Sequence, residues 1–163
     1  MKERKIEMKK IIVGCMLISL AFVHTASAWD VGLFASYSDH KDGDAVWGAG
    51  VLFLLESLPV EVRGTFYERS DTGTLQASPI DVGLALNLTR FERGRISAVG
   101  GASYYWMDAK GSSPDNEFGW YAGGRIEFAP HQQYGLFGEA LYRGAKLDDA
   151  DFSGVTFNLG ILF

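Results

Sequence analysis

Gly154-Val155-Thr156-Phe157-Asn158-Leu159-Gly160-Ile161-Leu162-Phe163 alternates with a period of two. Side chains on an extended chain point to opposite faces in turn, so Val155, Phe157, Leu159, Ile161 and Phe163 share one face. Thr156, Asn158, Gly160 and Leu162 share the other. An alternating segment that ends on an aromatic residue reads as a β-strand with one apolar side and one mostly polar side.

Working back from this segment, seven further runs keep the same period. They cover about 29–38, 45–56, 60–68, 78–89, 95–107, 117–129 and 134–143. Ile80, Val82, Leu84, Leu86 and Leu88 give the clearest apolar face among them. Most runs reach the ~9–11 residues that a tilted strand needs to cross a bilayer. The connections differ in kind. Asp39–Asp44, Arg69–Ala77, Asp108–Asn116 and Gly144–Phe152 are polar and mostly longer, whereas those at Ser57-Leu58-Pro59, Arg90–Gly94 and Pro130–Gln133 are short. Short turns at one end and longer loops at the other suit an up-and-down membrane barrel with both termini on the side of the turns. No segment after residue 28 reads as a long amphipathic helix.

Alternation alone does not say which face is buried, because a soluble barrel alternates with its apolar face inward. The polar face decides. It carries Glu61, Arg63, Asp81, Arg95, Arg125, Glu127, Glu139 and Arg143. Four acids and four bases neutralise one another inside a narrow lumen but would be costly in lipid. Aromatic residues gather at both ends of the apolar face. Tyr37, Trp47, Phe66, Tyr104, Trp106, Phe118, Trp120 and Tyr142 lie toward the loops, and Trp29, Phe128 and Phe163 toward the turns. Such rings favour a membrane–water boundary. The expected fold class is therefore all-β: an eight-stranded antiparallel up-and-down transmembrane β-barrel spanning residues 29–163.

The final hairpin, 134–143 with 154–163, resembles that of small outer-membrane barrels of the OmpA/OmpX-like and porin-family type. That resemblance implies a bacterial outer-membrane location and contact with membrane lipid and lipopolysaccharide. It also implies insertion by the barrel-assembly machinery, which would read Phe157, Leu159, Ile161 and Phe163 as an assembly signal. It implies no particular activity.

The N-terminal part has another character. Lys2, Arg4, Lys5, Lys9 and Lys10 precede an apolar run from Ile11 to Val23, and His24-Thr25-Ala26-Ser27-Ala28 follows. A basic start, a short apolar run and an A-x-A pattern predict a secretory signal peptide, residues 1–28, cleaved before Trp29. Met8 offers an alternative start. The apolar run is shorter than the ~20 residues of a spanning helix. Cys15, the one cysteine, falls inside it with too few apolar residues before it for a lipoprotein signal, so the mature chain has no thiol or disulfide chemistry. Of 15 basic and 20 acidic residues, residues 1–28 hold five and two. The remaining 10 and 18 give a net charge of −8, which with no basic cluster argues against nucleic acid as a partner.

Three readings of function follow: a structural or surface-interaction barrel with a plugged lumen and acidic outer loops, an enzyme acting on outer-leaflet lipid, and a narrow pore. The first is favoured, as a monomer without cofactor or metal. His40 in the first loop, with Ser70 and Asp71 of the second, could supply a base and a nucleophile for the second. Loop residues of these types are more often plain solvated surface. The histidine-plus-serine motif of the outer-membrane lipid A deacylases is absent, since neither of the last two strands contains histidine. Asp39, Asp42 and Asp44, and Asp148, Asp149 and Asp151, lack calcium-loop spacing and read as solvated acidic loops.

Overall fold

The structure is a computed structural model that describes residues 29–41, 45–55, 58–67, 75–109, 117–129, 134–147, 150–151 and 153–163. The signal-peptide segment 1–28, with Met8, Cys15 and the cleavage site, lies outside them. Every regular element among the described residues is a strand: β1 (Trp29–His40), β2 (Val46–Leu55), β3 (Val60–Tyr67), β4 (Leu75–Phe91), β5 (Gly94–Ala109), β6 (Glu117–Phe128), β7 (Gly135–Gly144), β8 (Lys146–Leu147), β9 (Ala150–Asp151) and β10 (Gly154–Leu162).

Eight of these strands close a barrel in the order β1-β10-β7-β6-β5-β4-β3-β2, with every pairing antiparallel. The last strand returns to the first. Leu33 lies opposite Ile161 and Tyr37 opposite Phe157, and Val31 and Phe163 exchange backbone hydrogen bonds of 3.3 and 2.8 Å. Closure removes both sheet edges, so the ladder satisfies the backbone without water, as a strand in lipid requires. The fold class read from the sequence is the one observed: all-β, eight-stranded, antiparallel and up-and-down.

The differences in detail have local causes. β4 and β5 run longer than expected because they continue to pair at both ends, from Leu75 opposite Ala109 to Phe91 opposite Gly94. The turn expected over Arg90–Gly94 therefore shrinks to Glu92-Arg93. A bulge at Leu88 shifts the register between Asn87 and Thr89. Pairing of β4 with β3 stops at Gly64 opposite Ile80, next to Pro79, which has no N–H to give to a ladder. His40, expected in a loop, is the last residue of β1, because β1 stays paired with β10 as far as Gly154. Part of the last loop forms the small β8–β9 pair.

The outer surface is apolar on all sides. Ile80, Val82, Leu84, Leu86 and Leu88 of β4, and Phe157, Leu159, Ile161 and Phe163 at the end of the chain, all project outward and are exposed. Toward the loops the aromatic side chains meet across strands: Tyr37 with Trp47 at 4.9 Å between centroids, Tyr104 with Phe118 at 5.2 Å, and Trp120 with Tyr142 at 5.7 Å. Phe91, Phe128, Tyr134 and Phe163 are exposed toward the turns. The side chains of Trp29 and Trp106 lie outside the described residues.

Candidate functional site

The interior of the barrel holds the chemistry. Glu61 and Arg63 point inward from β3, Asp81 from β4, Arg95 from β5, Arg125 and Glu127 from β6, and Glu139 and Arg143 from β7. Seven of the eight are buried; Arg95 is about one-third exposed at the mouth on the turn side. Period two places them there. Each is out of phase with the lipid-facing residues of its own strand, so a strand that turns Val62 and Ile126 outward must turn Arg63 and Arg125 inward.

At mid-barrel four side chains form an alternating ring across the lumen. Arg63 donates to Glu61 and, at 2.8 Å, to Glu139. Arg125 donates to Glu61 and, through Nε at 2.6 Å, to Glu139. Each guanidinium thus bridges both carboxylates, a use that suits its planar fork better than a lysine ammonium. Asn158 of β10 adds a 2.9 Å bond to Glu139. Nearer the loops, Arg143 grips both oxygens of Asp81 at 2.9 and 2.7 Å. At the turn end, Arg95 donates through Nε to Glu127 at 2.7 Å.

Tyr121 links these groups. Its hydroxyl donates to Glu61 at 2.8 Å, and its ring lies under the guanidinium of Arg63 at 5.0 Å and near that of Arg143 at 5.7 Å. The phenol reaches over β5 to Gly83 of β4, where a Cβ would collide with its oxygen. Glycine at position 83 is what makes room for the tyrosine.

The interior is not only polar and charged, as the alternation suggested. Phe34, Leu52, Leu54, Phe137 and Leu162 form a buried apolar cluster, and Val99, Tyr121 and Leu141 a second. An eight-stranded lumen is about as wide as its side chains, so apolar groups fill it where no charge stands. A signal was present in the unbroken apolar run Val51–Leu55, which must place apolar residues on both faces. Tyr121 and Asn158 are two interior residues of this network that the sequence pattern did not single out.

Of the alternative catalytic residues, the backbone of His40 ends β1, but its side chain, Ser70 and Asp71 lie outside the described residues. So do Asp42, Asp44, Asp148 and Asp149. No group of His, Cys, Asp or Glu suited to a metal occurs among the described residues. The buried carboxylates are already committed to arginines.

A closed antiparallel barrel with an apolar exterior and a charged interior is the fold of small eight-stranded outer-membrane barrels, and comparison with solved structures agrees. The chain is similar in fold to Neisserial surface protein A, with a TM-score of 0.63 at 12% identity over 83% of this chain and 95% of that one. It is similar also to the N-terminal β-barrel domain of Pseudomonas aeruginosa OprF, with a TM-score of 0.54 at 14% identity over 82% of this chain and 97% of that one. No protein-family model matches the chain. No curated protein matches it either.

Proposed function

We propose that this protein is an outer-membrane barrel with a structural or surface-interaction role, its lumen closed by its own side chains. The observation that carries this reading is the inversion of polarity. Leucine, isoleucine and phenylalanine cover the outside, while Arg63, Arg125, Arg143, Glu61 and Asp81 are each at most 1% exposed inside. A water-soluble barrel would gain nothing from that arrangement. In a bilayer it saves the several kilocalories per mole that each lipid-facing charge would cost. The eight ion-paired charges are four acids and four bases, which suits a plug more than a selective conduit. An open channel would have to hydrate four guanidinium groups that now hold carboxylates.

Residues 1–28 act as the cleaved export signal in this reading, and the acidic loops face outward with the termini in the periplasm. Phe157, Leu159, Ile161 and Phe163 serve as the signal for the barrel-assembly machinery. All four stand on the lipid face of the closing strand. The protein works as a monomer in contact with membrane lipid and lipopolysaccharide, without a cofactor.

The test is made in cells with and without the protein. It should fractionate with the outer membrane and run as a compact species on unheated gels, and the lipid A mass spectrum should not change. A lost or added acyl chain that depends on His40 would replace this reading with the enzymatic one.

A further inference from the structure

The ion pairs fill only part of the lumen. The eight ion-paired charges all stand on β3 to β7. Among the described side chains, the inner faces of β10, β1 and β2 carry, beyond Asp30 at the turn-side mouth, only uncharged residues. Toward the loops this wall is lined by small groups: Ser36, Ser38, Gly48, Gly50 and Thr156. Without further obstruction it would leave a polar passage beside the charge cluster.

The ring of Tyr67 lies on Gly48 with its hydroxyl 3.4 Å from Ser36 Oγ, and on its turn side two apolar rings obstruct the passage. Phe34 and Phe137 meet edge to face with centroids 6.2 Å apart, and they are 5% and 1% exposed. Each rests on a glycine. A Cβ at Gly50 would collide with the ring of Phe34, and one at Gly160 would lie 2.5 Å from Phe137 Cε1. Leu52, Leu54 and Leu162 close the layer toward the turns. The guanidinium of Arg125 stands 5.7 Å over the Phe137 ring and joins the apolar half to the charged half. We infer that Phe34 and Phe137, seated on Gly50 and Gly160, are the barrier to ions through the uncharged half of the lumen. An apolar constriction stops ions because water leaves it and an ion cannot enter without its hydration shell. The charge cluster blocks its own half by filling it. Neither half alone closes the barrel.

This inference rests on the closed-lumen reading, and one set of recordings separates the two. Protein extracted from the outer membranes of producing cells is placed in planar bilayers in potassium chloride. Wild type, Phe34→Ala/Phe137→Ala and Glu139→Gln are compared, each first shown to be folded by its unheated gel mobility. The expected result is silence from wild type and from Glu139→Gln, which keeps the volume of the side chain, and a steady ion current from the alanine pair. Steady wild-type current would overturn the closed lumen and this inference with it. Silence from both wild type and the folded alanine pair would overturn the inference alone. So would current from Glu139→Gln with none from the alanine pair. If the pair does not fold, Phe34→Ala alone takes its place under the same criteria.

Discussion

Arg125 touches three carboxylates, those of Glu61, Glu139 and Glu127, from a position 1% exposed. Buried ion pairs need not add net stability, but removing one partner strands the others without compensation. Arg125→Ala is therefore expected to cost about 3–5 kcal/mol, seen as a lower urea midpoint or failed folding in vesicles, without opening a large channel. Tyr121→Phe removes one hydrogen bond to the Glu61 carboxylate and leaves the ring in place. Its expected cost is about 1.5–3 kcal/mol, the range for a bond to a charged group, read from the same unfolding curves. At this scale the sequence was partly legible. The eight charges showed themselves by being out of phase with the apolar face. Their partners did not, because Arg63 meets Glu139 and Arg143 meets Asp81 across the lumen, and that depends on strand tilt and stagger. The phase of Phe34 and Phe137 was legible, since Leu33 and Leu136 fall on the outward face, but their contact was not, because it joins β1 to β7 over Gly160 of β10.

β4 shows what a single element must satisfy. Its outward residues run Ile80, Val82, Leu84, Leu86 and Leu88, and its inward Asp81 takes Arg143 from the opposite wall. A slip of one residue would put Asp81 into lipid and Leu84 into the lumen, so the register is fixed from both sides. Leu84→Arg places a charge at the centre of the apolar belt and should cost about 2–4 kcal/mol in vesicles, as for an arginine near the bilayer midplane. On a soluble barrel the same exposed position would tolerate arginine with little change, so the size of the loss reports lipid contact. Strand positions were legible because hydrophobic period and turn residues agreed along most of the chain. The extended β4–β5 hairpin was less so, since Arg90, Phe91 and Gly94, expected in the turn, are held in the ladder by the pairs Arg90 with Arg95 and Phe91 with Gly94. β10 carries the second prediction at this scale. Deleting Phe163 removes the aromatic end of the closing strand and its two backbone bonds to Val31. The level of folded, compact protein in the outer membrane should fall several-fold, as judged by unheated gels of membrane fractions.

The whole molecule has its charges within, packed beside two buried apolar clusters, an apolar surface without, and two aromatic levels between which that surface fits a bilayer. The distribution was legible from the sequence because alternation, charge phase and aromatic placement all pointed the same way. What the barrel meets at its loops was not, since short acidic segments such as Lys41–Asp44 carry no pattern that singles out a ligand. The central claim is that the outer face lies in lipid, and tryptophan tests it most directly. Trp47 and Trp120 project from the loop-side aromatic level and are 66% and 52% exposed. Variants keeping only one of these tryptophans are folded into vesicles whose lipid chains carry bromine at different depths. Strong quenching of both, greatest with bromine close to the headgroups, is the predicted result. Fluorescence that does not respond to bromine at any depth, in protein shown to be folded, would contradict the account.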